Sequence, residues 1–316
     1  MLRFCFGYLL MILFLIARFF PAAFGQGCSD AGFCTMGAMK PDQHFSKRID
    51  FRLRSVKIEQ YFGVSQFDNV IQSVTIDLNV GLSPKSTVQF KLPYMKSAHA
   101  GWFLEGIGDA SLSFTRNIFS SEKFQINATI GSKIPSGSSN GKIKSGQTLP
   151  MYYQISLGTY DIVLGGSFIS EKWLFAAGWQ KALNANGSEF SYELWEGHRR
   201  KPEILKYPES YHLRRSGDVM FRAERNFRFS RFSCNAGVLL IHRFNEDRIT
   251  DVKTGEEIRA KGSSGLASTF LLGAQYRLSV KSSLIATFGK KLTSREINPD
   301  GLSRARVYVF AYQYNF

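Results

Sequence analysis

Seven charged residues, Arg52, Arg54, Asp77, Lys91, Arg116, Arg222 and Glu224, fall on polar faces or at the ends of segments that alternate polar with apolar side chains. Charges in that pattern suit a wet wall that meets ions and polar solutes, because an Arg or Lys facing lipid at mid-bilayer costs about 2–4 kcal/mol. They are expected to point into a lumen. A packed lumen, in which these charges pair and nothing passes, fits the same pattern. Catalytic chemistry has less to draw on. Of the five histidines, His44, His99, His198 and His212 lie in loops or the N-terminal segment, and His242 lies in a strand pattern. None stands in a recognisable nucleophile motif. The expectation is a protein that is not an enzyme and needs no cofactor or metal. Gly137–Lys142 lacks the spacing of a phosphate-binding loop and is followed by no helix pattern.

Strands must position these charges. In the last thirteen residues Tyr308, Phe310, Tyr312, Tyr314 and Phe316 recur at every second place, and side chains two apart in a strand share a face. The polar face is expected to carry Arg306, Ala311, Gln313 and Asn315. An aromatic face against a polar one suits a strand between lipid and a wet lumen. The terminal Tyr312, Tyr314 and Phe316 resemble the C-terminal signal by which bacterial outer-membrane barrels enter their membrane through the barrel-assembly machinery. The other home for such a strand is the edge of a soluble sandwich.

The connections separate the two. Twelve strands are expected, joined alternately by tight turns and long loops. The turns lie near Ser83–Ser86, Ser120–Lys123, Ser170–Lys172, Arg228–Arg231 and Ser279–Ser282. The longest loop, Asn184–Ser216, holds Arg199-Arg200-Lys201 and Arg214-Arg215, which suit the phosphates of lipopolysaccharide or a solvated surface. Keeping Met151–Ser170 as one strand puts every tight turn on one side. That is the arrangement of an outer-membrane barrel with short periplasmic turns and long extracellular loops; a sandwich has no reason to show it.

Composition agrees. Phe and Tyr number 28 and 13 and Pro only 9 in 316 residues, which favours strands. Residues 1–25 read as a signal peptide, with Arg3, the apolar run Leu9–Ile16 and the small-x-small site Ala23-Phe24-Gly25. No later stretch is long and apolar enough for a spanning helix. Net charge is +15, and +13 once Arg3 and Arg18 leave with the leader. Export argues against nucleic acid as partner and for lipopolysaccharide or anionic solutes. Residues 26–45 lack periodicity and contain Cys28 and Cys34, six apart, a spacing that suits a small disulfide loop in an oxidising compartment. This segment reads equally as a small plug across the lumen or as a disordered leader. Residues 46–316 form the barrel.

Three short stretches carry a family resemblance: Gly106-Ile107-Gly108-Asp109, Ile134-Pro135-Ser136-Gly137 and Leu157-Gly158-Thr159-Tyr160-Asp161. In order and spacing they resemble the outer-membrane channel family named for the MetA pathway of phenol degradation, over roughly Leu92 to the C-terminus and most sharply over Leu92–Leu183. The family often has Leu-Pro-Thr-Gly where this chain has Ile-Pro-Ser-Gly. The resemblance implies a channel-like barrel for small solutes, hydrophobic or aromatic ones among them. The basic loop and the cysteine pair match nothing in it. Gly106 and Gly108 are expected to give a loop unusual backbone angles where it re-enters a strand, with Asp109 capping that turn. Pro135 and Gly137 are structural on the same reading. A surface-binding barrel and a barrel hydrolase are the rival functions.

Overall fold

The computed structural model describes residues 35–40 and 52–316. The leader, the Cys28–Cys34 pair, most of residues 26–45 and the side chain of Arg52 lie outside the described residues. Fifteen strands run through the rest: β1 Arg52–Val64, β2 Val70–Ser83, β3 Ser86–His99, β4 Trp102–Ile107, β5 Ala110–Ser120, β6 Phe124–Ile134, β7 Asp161–Ser170, β8 Trp173–Ala182, β9 Asp218–Arg228, β10 Phe232–Arg243, β11 Asp247–Thr250, β12 Glu257–Ala260, β13 Gly265–Arg277, β14 Ser282–Thr293 and β15 Arg306–Asn315.

They make twelve staves. β4 and β5 share one stave, because the upper part of β3 pairs with β4 (Tyr94 opposite Ile107) and its lower part with β5 (Lys91 opposite Ser111). β11 and β12 form a separate hairpin on the loop side. Antiparallel pairing runs unbroken around the remaining strands, and β15 closes on β1 with Ile58 opposite Tyr312. Closure leaves no edge with unpaired backbone groups, which is what allows strands to cross a bilayer. The chain is an antiparallel transmembrane β-barrel, with the tight turns β2–β3, β5–β6, β7–β8, β9–β10 and β13–β14 all at the end where β15 finishes.

Alternation along each strand sorts the side chains. In β2 the even positions Val74 and Ile76 are exposed and the odd positions Ser73, Thr75 and Asp77 are buried. An apolar outside and a polar inside invert the usual globular pattern, and suit a wall with lipid outside. Toward the periplasmic turns the outer face carries a girdle of rings: Phe119, Phe124, Phe168, Phe175 and Phe221 follow one another at 5.1–6.5 Å between centroids. Arg225 lies over Trp173 at 4.9 Å within that girdle, its charge at the interface and its stem on the ring.

Two expectations about strands change. Met151–Ser170 is not one strand. Met151–Tyr160 belongs to a long extracellular loop, and pairing begins at Asp161 opposite Lys133. Conversely, Lys96–Gly108, which its glycines alone would make an open loop, is mostly paired. β3 and β4 extend beyond the neighbouring staves and turn tightly through Ala100 and Gly101, both at positive φ. Arg306 also changes sides. Its even position puts it outward with Tyr308 and Phe310, exposed at the extracellular end of β15.

Candidate functional site: the lumen

A cavity of about 720 Å³ occupies the periplasmic part of the lumen. Turn residues Pro84, Lys85 and Val280 stand at its mouth, and Gly289, Val307 and Thr269 at its upper wall. Its lining includes seven basic side chains (Lys40, Arg54, Lys57, Lys85, Lys91, Arg222, Arg277) against three acidic ones (Glu59, Asp77, Glu224). The excess is cationic, and low-dielectric walls focus such a field on the solute path.

Five of the seven expected charges line this cavity: Arg54, Asp77, Lys91, Arg222 and Glu224. Asp77 is the hub. It accepts from Gln89 Nε2 at 3.0 Å and from Asn79 Nδ2 at 2.9 Å, and lies 3.4 Å from Lys57 Nζ and 3.9 Å from Lys91 Nζ. Lys57 also pairs with Glu59. Arg54 donates to the Ser83 carbonyl. Arg222 and Glu224 lie on β9, 3.5 Å apart between Nη1 and Oε1. Arg116 departs from the expectation. Thr115 and Asn117 on either side of it line the cavity, so Arg116 points outward and is exposed. It sits near the periplasmic end of β5, where an outward Arg costs only about 0–1 kcal/mol. The Lys57–Glu59 pair was missed by sequence, although their spacing in β1 carried the signal.

The N-terminal residues Thr35–Lys40 lie within the lumen. Gly37 N donates to Gln89 Oε1 at 2.7 Å and Ala38 N to Thr129 Oγ1 at 2.8 Å. Met36 and Met39 are buried with Val163, Met220, Leu239 and Ile241, with Leu271 packed alongside. Two glycines leave them room. A Cβ on Gly165 would meet Met39 Sδ at 2.3 Å, and one on Gly131 would meet Met36 Cε at 3.1 Å. The segment thus occupies the β5–β8 side of the lumen and leaves the β13–β15 side to the cavity.

Above it the extracellular loops form a roof. Leu149, Tyr152, Tyr153, Phe190, Trp195, Ile204 and Tyr207 bury one another, with Phe67 and Trp102 against them. Trp195 Nε1 donates to the Thr148 carbonyl at 2.9 Å, and Tyr207 Oη to Asn69 Oδ1 at 3.1 Å. Burial pushes the Tyr152 and Tyr153 phenols well above their ordinary range. The basic loop serves this roof. Arg200 lies 3.7 Å from the centre of the Trp102 ring, donates to the Ala100 carbonyl and pairs with Glu203. Lys201 pairs with Glu196 and Arg214 with Glu257. These cations therefore already have acidic partners within the chain; Arg199 is exposed.

Beneath the roof is a buried charge cluster that sequence reading did not foresee. Arg243 contacts Asp218 at 2.6 Å, Asp247 at 2.5 Å and Asp300 at 2.9 Å. Arg215 contacts Asp161 at 3.0 Å and reaches Asp218 and Asp300 at 3.6 Å. Arg295 lies 3.7 Å from Asp300. These groups come from β7, β9, β10, β11 and two loops, so the cluster ties the roof to the barrel rim. Its one legible trace was the cross-strand pair Asp218 and Arg243 at adjoining strand ends.

The three resemblance-bearing stretches meet at one junction. Ser136 Oγ donates to the Gly108 carbonyl at 2.6 Å and accepts from Ala110 N at 2.9 Å. Asp109 accepts from Ser156 Oγ and from Leu157 N at 3.0 Å, and lies 3.8 Å from Lys133. Asp109 is thus not the cap of its own turn; it pins the 135–160 loop. Gly106 does have the expected unusual backbone, with φ +152°. Gly108 is needed instead for space, since a Cβ there would meet Met95 Sδ at 2.6 Å and the Ile155 carbonyl at 3.1 Å. Gly137 likewise leaves no room for a Cβ, which would fall 2.2 Å from the Ile107 carbonyl; Pro135 precedes it in the same crossing. Replacing Asp109 by Ala orphans two buried donors and Lys133. We expect a loss of about 1–3 kcal/mol, read as a lower thermal midpoint and faster proteolysis within residues 135–160.

His99, expected in a loop, instead ends β3 opposite Trp102; the hydrolase alternative rests on His242 in β10. Its cross-strand partners are Val219 and Leu266, and its ring meets Phe244 at 4.7 Å. It lies on the outward face, opposite in parity to the buried Arg243. Cys234 is a free, half-buried cysteine in β10.

No protein-family model matches the chain, and no curated protein matches it. Solved structures do. A crystal structure of an outer membrane channel from Pseudomonas putida F1 superposes with TM-score 0.62 at 13% identity, over 87% of this chain and 99% of that one. The CymD monoaromatic hydrocarbon channel (TM-score 0.41, 9% identity, 94% of this chain and 95% of that one) and the NanC porin (0.43, 10%, 83% and 100%) are more distant in shape. The first likeness is one of fold, and with the apolar outer belt it makes this chain a β-barrel of the bacterial outer membrane.

Proposed function

We propose that this barrel is a passive channel for small solutes, hydrophobic or aromatic ones among them, and that Thr35–Lys40 is its internal plug. The observation that carries the reading is the lumen itself: a polar, net cationic cavity beside a short segment that rests on two glycines. A barrel that served only as a scaffold would gain more from filling that space, because interiors pack closely. The resemblance at Gly106–Asp109, Ile134–Gly137 and Leu157–Asp161 supports the same reading and suggests aromatic solutes. Tyr312, Tyr314 and Phe316 serve as the signal to the assembly machinery, Arg199 and the outward Arg306 face lipopolysaccharide, and nucleic acid has no part.

The roof favours a second reading, in which the barrel is closed and its loops bind at the cell surface. Planar-bilayer recording of the refolded mature protein separates the two. Ohmic steps with anion preference support the channel. A folded barrel that stays silent, also after residues 26–45 are removed, leaves the surface-binding reading.

A further inference from the structure

The cavity has two chemically different walls. On β1–β3 and β9 it presents Arg54, Lys57, Glu59, Asp77, Lys91 and Arg222. On β13–β15 it presents Leu271, Ile285, Val307 and Val309, with Thr287 between them and Gln275, Arg277 and Gln313 nearer the periplasmic mouth. Pairing joins the walls directly. Glu224 stands opposite Gly237, Gly237 opposite Leu271, Leu271 opposite Gly289, and Gly289 opposite Val307. Gly237 and Gly289 carry no side chain, so an apolar shelf begins on β13, with only β10 between it and the β9 charges.

The cations differ in what they already hold. Lys57 is bound to Glu59 and Asp77. Arg222 is 2% exposed, yet its Nε and Nη1 donate no hydrogen bond. Glu224 is its ion-pair partner at 3.5 Å, beyond good hydrogen-bond length, and gives its other oxygen to Asn235 Nδ2 at 2.9 Å. A buried guanidinium with idle donors is costly unless an acceptor arrives, and its planar fork matches a carboxylate.

We propose that Arg222 and this shelf form a binding site for small amphipathic monocarboxylates. The carboxylate meets the Arg222 guanidinium, and an aromatic or branched aliphatic body lies on Leu271, Ile285, Val307 and Val309. The proposal deepens the channel reading by assigning its solute class, and rests on that reading for the site's place on a path.

The test is calorimetric titration of the full mature protein in detergent with benzoate, its neutral analogue benzamide, and acetate. Benzoate is expected to bind at least about tenfold more tightly than either analogue, and at least about tenfold more weakly to Arg222→Gln, the factor expected when one charge-assisted hydrogen bond is lost. Ile285→Asn should weaken benzoate while leaving acetate unchanged. Heat-modifiable gel mobility reports folding, and Arg222→Lys, which keeps the charge and loses the fork, stands in if the glutamine variant does not fold. Equal affinities for benzoate and acetate overturn the site, as does a folded Arg222 variant that binds benzoate like the parent, or a folded parent that gives no benzoate signal. Binding is read without current. A protein that binds benzoate but never conducts loses the channel reading and keeps the site; one that conducts and ignores benzoate does the reverse.

Discussion

Removal of residues 26–45 is expected to convert a mostly closed pore into a mostly open one. Burying Met36 and Met39 contributes about 3–6 kcal/mol, and the hydrogen bonds from Gly37 N to Gln89 and from Ala38 N to Thr129 about 1–3 more. Ordering six backbone residues costs about 6–12 kcal/mol. The two sides nearly cancel, so the docked segment is poised to leave rather than locked. Truncating one methionine tips the balance further. Met39→Ala removes about 2 kcal/mol or more, enough for over tenfold in the docked population. In single-channel recordings the deletion should give larger and more persistent conductance, with Met39→Ala between it and the parent. Indistinguishable conductance in all three would deny the segment any part in closure.

Substituting Arg243 by Ala should release the roof. Arg243 is the shared partner of Asp218, Asp247 and Asp300, and all four groups are buried. Removing one member of a buried ionic cluster leaves uncompensated charge and costs about 3–5 kcal/mol. The twelve staves keep their backbone pairing, so the loss falls on the loops. Limited proteolysis should cut within 183–217 and 244–264 while the barrel keeps its heat-modifiable mobility; an uncut roof would show that the aromatic cap holds it alone.

The cluster also sets the response to acid. Burial by itself would raise the Asp300 carboxyl, but the guanidiniums of Arg243, Arg295 and Arg215 outweigh it and hold it well below its ordinary range. Its contribution is therefore complete above the unfolded carboxylate range, about 4, and is lost only as pH falls through the depressed folded value. Asp247 runs the other way. Burial raises it, with Arg243 opposing and the charge of Asp300 adding to the rise. It takes up its proton earlier on acidification, and this relieves the folded state. The roof should stay protease-resistant at mildly acidic pH and open only below about 3.

The architecture was legible because two rules act locally. Side chains alternate across a strand, so Val74 and Ile76 read as outer and Thr75 and Asp77 as inner without any partner in view. Tight turns need few residues and long loops many, so their alternation placed both sets before any strand was paired. Polarity, unlike alternation, misleads near strand ends. Arg116 is outward because lipid tolerates an Arg close to the interface, which polarity along the strand does not encode. Met151–Tyr160 looked like strand because Met151, Tyr152, Tyr153, Ile155 and Leu157 are apolar, but Tyr152 and Tyr153 build a roof rather than a wall.

By itself, then, the sequence determined a twelve-stave barrel with an aromatic closing strand and inward charges, since each of these follows from period and spacing. Only the tertiary structure decided which charges keep each other company. Asp161, Arg215, Asp218, Arg243, Asp247 and Asp300 are spread over 140 residues of chain and meet because barrel closure and loop folding bring four strands and two loops to one rim. It also decided where the lumen stays open: Met36 and Met39 fill the side floored by Gly131 and Gly165, and the docked segment confines the remaining space to the side of Leu271, Val307 and Arg222.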